Sequence, residues 1–122
     1  MPLVFSYGSL QRSDVQIATF NRLLDGRRDH LPGFRVGRIP IRDPAVAAAL
    51  GTAYHANAEP TGNPHDQVEG TAFEIAEDEL RRVDIFEQRD GYGRRAVTLA
   101  SGRAAWVYVY ERPQSRTPPI AD

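Results

Sequence analysis

The sequence contains neither cysteine nor lysine. The absence of cysteine excludes disulfide bonds, thiolate metal ligands and a cysteine nucleophile, and it leaves the redox compartment undetermined. The absence of lysine means that all fifteen basic residues are arginine, and it excludes catalysis through a lysine Schiff base. The chemistry of an active site must therefore come from other side chains or from the backbone.

Long apolar runs and an excess of one charge are also missing. No segment has the length of a membrane span, and the N-terminus lacks the basic and apolar regions of a signal peptide. The formal net charge is -1 and charges of both signs are interspersed, so the sequence offers no basic stripe for nucleic acid. These features predict a soluble, cytoplasmic protein that binds neither membranes nor nucleic acids.

The length and composition indicate one folded unit. A chain of 122 residues with 41% hydrophobic residues has the size of a single domain and enough apolar content for a core. The last ten residues include three prolines and few side chains that could pack. We therefore predict one domain over residues 1–112 and a mobile tail over residues 113–122.

The N-terminal segment contains the first candidate binding site. Residues 3–7 have the length, the aromatic residues and the branched residues of a buried strand, and Gly8 allows a turn that a side chain would hinder. A turn between a buried strand and a helix exposes backbone N–H groups that can bind a carboxylate or phosphate. The pattern by itself favours a simple connection that has Tyr7 in the core and Gly8 relieving strain.

A helix is predicted after this turn. Ser13 or Asp14 can cap its N-terminus, and Gly26 can end it. Three apolar residues recur at helical spacing and predict its inward face: Ile17, Phe20 and Leu24.

The middle of the sequence is rich in proline and glycine. Residues 31–41 predict one or two short, bent strands. The alanine-rich residues 43–50 fit either a short helix or an extended loop. Residues 53–55 predict an edge strand and residues 57–67 a surface loop. We expect loops within residues 40–67 to form the outer wall of a pocket.

The second half of the sequence has clearer patterns. Residues 68–75 predict a strand in which Gly70 marks a bulge or a close approach by another group, and residues 76–87 predict a helix with an acidic first turn. Residues 95–100 and 104–110 predict a closing hairpin. The predicted fold class is α+β, with a mixed, mostly antiparallel sheet curled into a small barrel and flanking helices.

One carboxylate lies on the apolar face of the second helix. Leu80, Val83, Asp84 and Glu87 share a face because they stand at positions i, i+3, i+4 and i+7. Leu80 and Val83 must point inward, so Glu87 is aimed at the interior, where desolvation would raise its pKa and suit it to acid–base chemistry. Alternatively, Glu87 faces solvent or forms a buried ion pair with one of three arginines: Arg89, Arg94 or Arg95.

Five segments together resemble the gamma-glutamylcyclotransferase-like (AIG2-like) family. They occur in the family's order over residues 3–110. The segments are Tyr7-Gly8-Ser9-Leu10, Val68-Glu69-Gly70-Thr71-Ala72-Phe73, Val83-Asp84-Ile85-Phe86-Glu87, Tyr92 with Arg94, and Ala105-Trp106-Val107-Tyr108.

The resemblance implies a small barrel with a cavity beside the first turn and an enzyme acting on a small γ-glutamyl substrate. In the family's reaction the substrate's α-amine attacks its own γ-carbonyl, giving 5-oxoproline and a free amine. The resemblance makes Glu87 the catalytic acid/base and makes five residues the substrate-binding set: Tyr7, Gly8, Ser9, Leu10 and Tyr108. It requires no metal and no cofactor, and we expect a monomer or weak homodimer.

Two other functions are considered. A non-catalytic module on the same fold could bind a small metabolite without converting it, and Glu87 favours the enzyme over this alternative. A metal hydrolase using His30, His55 and His65 is disfavoured, because these histidines lack short ligand spacing.

Overall fold

The computed structural model describes residues 1–111, in which seven strands alternate with three α-helices. The predicted mobile tail, residues 113–122, lies outside the described residues. The strands are β1 (Leu3–Ser6), β2 (Gly26–Pro32), β3 (Phe34–Pro40), β4 (Tyr54–Pro60), β5 (Gln67–Glu74), β6 (Tyr92–Thr98) and β7 (Ala104–Tyr110). The helices are α1 (Ser13–Phe20), α2 (Pro44–Leu50) and α3 (Glu77–Arg89), and a 3-10 turn (Ser9–Gln11) follows β1. No helix of the described chain is long and apolar enough to cross a membrane.

The larger sheet has β1 at its centre. Its strand order is β2-β5-β1-β7-β6, with β1 antiparallel to β5 and parallel to β7. Phe5 therefore has Ala72 on one side and Val107 on the other. Because β1 is covered by neighbours, Val4 and Phe5 are each only 1% exposed. The turn that leaves β1 consequently begins in the middle of the sheet.

The predicted barrel is not confirmed, although the α+β class is. Strands β3 and β4 form a separate two-stranded sheet, and the two sheets do not close on each other. Side chains instead join β4 to the larger sheet. Ala58 donates its N–H to the Tyr7 hydroxyl at 3.1 Å, and Asn57 accepts from the Tyr110 N–H at 2.8 Å. These contacts take the place of the backbone ladder that closure would require.

Alternate residues of β1 pack into two separate core clusters. Phe5 packs with Leu31, Ala58 and Val107, whereas Val4 packs with residues of α1 and α3 such as Phe20, Leu80 and Val83. The close approach predicted at Gly70 is confirmed, because a Cβ there would overlap the Ser6 carbonyl oxygen and the Phe5 ring.

Helix α1 differs from its prediction. It ends at Phe20 instead of near Gly26, because Asn21 adopts a left-handed conformation with φ 58° and caps the helix. Ile17 is 48% exposed, whereas Gln16 is buried and bonds to the backbone of the segments on either side. Arg12 occupies the N-cap position, so neither Ser13 nor Asp14 does.

The structure resolves the ambiguous middle segment. Residues 44–50 form helix α2, whose N-terminus is capped by the Asp43 carboxylate on the Ala45 N–H at 2.9 Å. The prediction of a loop over residues 57–67 is wrong for its first four residues, because β4 continues to Pro60. Their partner is β3, with Asn57 opposite Gly37. Composition favours a loop here, and pairing with a distant strand overrides it.

The start of α3 is fixed by a buried carboxylate. Glu79 accepts a hydrogen bond from the Ala76 N–H at 2.8 Å and two from the Arg22 guanidinium at 2.8 and 2.9 Å. The bond from Arg22 is the largest cause that lowers the pKa of Glu79, to about 2. Leu80 and Val83 are buried as predicted, so the rotation of α3 about its axis is set from its first turn onward.

Replacing Glu79 with glutamine should lower the free energy of unfolding by about 1–2 kcal/mol at neutral pH, a figure reduced for the partial exposure of Arg22. The folded-state pKa lies below the ordinary value of 4.5, so the contribution is present above that pH and is lost as the pH falls toward 2. Urea denaturation at neutral and acidic pH measures both effects. Asp78→Asn, which breaks an exposed pair with Arg82, is the control and should change stability much less. An equal loss in the two variants would contradict the assignment.

Candidate functional site

A cavity of about 370 Å³ lies beside the turn that follows β1. Its walls come from that turn, α1, the C-terminal half of α3, β7, and the segment joining α2 to β4. The six residues predicted from sequence all line it: Tyr7, Gly8, Ser9, Leu10, Glu87 and Tyr108. Residues from opposite ends of the chain therefore meet in one cavity, while their roles stay predictions.

The Glu87 carboxylate is half-buried and has no partner. Within residues 1–111 no group forms a hydrogen bond or ion pair with it. Burial raises the pKa of Glu87 to about 7, and the negative charge of Asp90 adds to this effect. The alternative of an ion pair between Glu87 and Arg94 is wrong, because Arg94 pairs with Asp84 instead, with Nε 3.4 Å from Oδ1. The guanidinium carbon of Arg94 also lies 4.2 Å from the centroid of the Trp106 ring. Glu87 is thus a carboxyl group that can gain and lose a proton near neutral pH.

The turn after β1 leaves two backbone donors unused within it. The N–H of Gly8 donates to the Ser6 hydroxyl at 3.2 Å, and the first bond inside the turn runs from the Gln11 N–H to the Gly8 carbonyl at 3.1 Å. The N–H groups of Ser9 and Leu10 precede that bond and so have no partner within the turn. These are the amides on which an anionic group could be held.

The expectation that a side chain at Gly8 would hinder the turn is not supported. Its φ is -140°, outside the left-handed region, and an added Cβ would meet no heavy atom within 4 Å. Gly8 leaves the cavity wall open at this position.

The Tyr7 hydroxyl joins three strands. It donates to the Tyr108 carbonyl at 2.8 Å and accepts from the Ala58 N–H at 3.1 Å. Burial raises the pKa of Tyr7 to about 12, and the charge of Glu87 contributes to the rise. The phenol therefore stays protonated and its one proton is already donated. Tyr7 holds the end of β1 in place, and a substrate would meet its ring.

The Tyr108 hydroxyl ties β7 to α3. It donates to Asp84 at 2.6 Å, and burial together with this bond raises its pKa. Asp84 stands one turn before Glu87 on α3, and Arg94 approaches it from β6. Asp84 is not among the residues that line the cavity. Its position shows that it anchors α3 against β7, which fixes the direction of Glu87.

Sequence reasoning missed several residues of the outer wall. Tyr54 and His55 line the cavity from β4, where the sequence predicted an edge strand but no cavity residue. Tyr92 also lines the cavity, and its hydroxyl donates a hydrogen bond to the Ala56 carbonyl at 2.7 Å. The rings of Tyr92 and His55 meet edge-on, with their centroids 6.0 Å apart. Asp90 completes this side. Its spacing of three residues from Glu87 was a usable signal, because i and i+3 share a helix face.

Comparisons with known proteins agree with this geometry. The sequence model of the family "Gamma-glutamyl cyclotransferase, AIG2-like" matches residues 4–122. No curated protein matches the chain.

Solved structures show the same fold. A protein of Arabidopsis thaliana matches with a TM-score of 0.62 and 20% identity over 89% of this chain and 61% of its own. An uncharacterized protein from Homo sapiens matches with a TM-score of 0.68 and 17% identity over 90% and 66%. A gamma-glutamyl cyclotransferase matches with a TM-score of 0.64 and 15% identity over 90% and 66%. The chain thus spans less than two thirds of the first of these proteins. The family match, over nearly the whole sequence, confirms the resemblance: the chain belongs to the AIG2-like gamma-glutamyl cyclotransferase family.

Proposed function

We propose that this protein is a gamma-glutamylcyclotransferase-type enzyme that converts a γ-glutamyl amine or peptide into 5-oxoproline and a free amine. The observation that carries the proposal is the Glu87 carboxylate, which lies in the cavity wall without a partner among residues 1–111 and has its pKa raised to about 7. A carboxylate kept in this state costs stability, so its position calls for a chemical role.

The proposed reaction begins with a proton transfer. The substrate's α-ammonium cannot act as a nucleophile until it loses a proton, and Glu87 accepts it. The amine nitrogen then bonds to the γ-carbonyl carbon, and the bond from that carbon to the leaving nitrogen breaks. Protonated Glu87 returns its proton to the leaving nitrogen. The second proton that the ring nitrogen loses on forming the lactam passes through Glu87 to the same nitrogen, so the leaving group departs as an ammonium. Atoms and protons balance without water, the step needs no metal, and no covalent bond to the enzyme forms because nucleophile and electrophile belong to one molecule.

The turn after β1 is proposed to position the substrate. The Ser9 and Leu10 N–H groups hold the glutamyl α-carboxylate or the oxyanion that forms at the γ-carbonyl. Gly8 does not contribute its N–H, because this group already donates to Ser6. Tyr7 and Tyr108 shape the cavity, and their hydroxyls keep the turn and α3 in register.

Replacing Glu87 with glutamine should lower turnover by at least about 10²-fold, because the amide keeps the shape but cannot accept a proton. Release of 5-oxoproline from γ-glutamyl amines and dipeptides, followed by mass spectrometry, measures the effect. The control is Glu77→Gln, an exposed position at the start of the same helix, which should match wild type. Full turnover by Glu87→Gln would refute the assignment. Binding without turnover by wild type would favour the non-catalytic module.

The pH dependence of kcat/KM should report the ionisation of Glu87. The base must be deprotonated, so activity should fall as the pH drops below about 7. The charge of Asp90 contributes to raising this pKa, so Asp90→Asn should move the acidic limb to lower pH. A limb that stays in place in the variant would show that another group controls it.

The same carboxylate should lower stability above neutral pH. The folded-state pKa of Glu87 exceeds its ordinary value of 4.5, so wild type should lose stability as the pH rises from 4.5 through about 7. Glu87→Gln removes this loss and should be about 1–3 kcal/mol more stable at alkaline pH, with no gain near pH 4.5. Urea denaturation across this range measures the difference independently of activity. A variant less stable at every pH would mean that Glu87 serves the fold.

A further inference from the structure

The wall of the cavity carries negative charge. Among the described residues that line it, Glu87 and Asp90 are acidic and none is an arginine. This is notable in a chain with fifteen arginines. His55 also lines the cavity, and its ring centroid lies 6.0 Å from that of Tyr92 and 6.4 Å from that of Tyr110.

The arginines closest in sequence to Glu87 are directed elsewhere. Arg89 and Arg82 line a different surface groove, between α1 and α3. Arg94 is held by Asp84 and Trp106, as described above. Arg38 packs over the Tyr54 ring at 5.6 Å and does not itself line the cavity. Within residues 1–111, a carboxylate that entered this part of the cavity would therefore meet no arginine in the wall.

The end of α3 adds to the negative potential. Asp90 is the C-cap residue of this helix, where the backbone carbonyls carry partial negative charge. This negative potential acts on neighbouring groups, because the charge of Asp90 contributes to the raised pKa of both Glu87 and Tyr92. Asp90 is exposed at the edge of the cavity, with its side chain on the same helix face as Glu87.

We infer that the leaving group of the substrate carries a positive charge, as in γ-glutamyl conjugates of diamines, with its free ammonium paired to Asp90. The inference rests on the proposed function and specifies its substrate class. The scissile nitrogen must lie near Glu87, which returns a proton to it, and the remainder of the leaving group extends toward Asp90. Residues three apart on a helix have Cβ atoms about 5–6 Å apart, a distance that a short methylene chain spans.

The same geometry disfavours a leaving group with a carboxylate. The two amides of the turn are already assigned to the glutamyl part of the substrate. A second carboxylate would lie beside Asp90 and Glu87, and no arginine among the described lining residues would offset its charge. Discrimination against γ-glutamyl amino acids would thus come from repulsion as much as from attraction of the amine.

Three γ-glutamyl conjugates with the same four-methylene chain test this inference. Their leaving groups are diaminobutane, pentylamine and aminopentanoate, which end in an ammonium, a methyl and a carboxylate. We expect kcat/KM to fall in that order, with about five- to tenfold between the ammonium and the methyl conjugates. Added salt should narrow this ratio, since a charge pair at the cavity edge is screened. Equal rates, or a faster aminopentanoate conjugate, would overturn the inference.

Two variants of Asp90 assign the preference to its charge. Asp90→Asn should bring the ratio of the ammonium to the methyl conjugate close to one, whereas Asp90→Glu should retain a preference. The ratio is independent of any change in the pKa of Glu87, because both conjugates use the same base at the same pH. A ratio unchanged in Asp90→Asn would overturn the role of Asp90.

If no conjugate yields 5-oxoproline, the proposed function fails. Calorimetric affinities of the three intact conjugates then decide the charge preference separately, and equal affinities reject it.

Discussion

The pairing of β1 between two strands is the constraint on which the site depends. Strand β5 covers one side of β1 and β7 the other, so its end lies in the middle of the sheet and the turn at Gly8 opens beside the core. The Tyr7 hydroxyl then connects this end to β7 and β4 through two hydrogen bonds. Since β7 in turn holds α3 through Tyr108 and Asp84, the turn and Glu87 are positioned by one connected set of contacts. The turn and Glu87, which come from distant parts of the chain, are thereby kept in fixed relation, as the proposed catalysis requires.

Glu87 shows how a fold can hold a carboxyl group in a costly state. The apolar residues Leu80 and Val83 commit one face of α3 to the core, and Glu87 follows on that face. Its desolvation is not offset by a partner among the described residues, which is why its pKa rises. Glu79, on the same helix, has the opposite environment, with Arg22 and a backbone N–H as donors and a lowered pKa. Two carboxylates on one helix thus differ in chemistry because one has donors and the other does not.

The position of the arginines connects the fold to substrate choice. Arginine is the only long cationic side chain in this sequence, and pairing with Asp84 and stacking on Trp106 keep Arg94 away from Glu87. This arrangement leaves Glu87, the proposed base, without an arginine beside it among the described lining residues. We infer that it also selects a cationic leaving group, since the same absence of positive charge that keeps the pKa of Glu87 high disfavours a second carboxylate.

Local patterns were sufficient to predict α3, the strand and turn at residues 3–8, and the position of Glu87 on the helix face of Leu80 and Val83, because helical and strand periodicity depends on neighbouring residues. The order of five short segments was sufficient for the family. The sequence could not show that β4 extends to Pro60, that α1 ends at Asn21 with Gln16 buried, or that the sheets stay open, since each depends on distant partners. It also could not decide between an arginine partner and an unpaired carboxylate for Glu87. Only the tertiary structure placed Arg94 against Asp84, because which charges meet is set by packing between elements far apart in the chain.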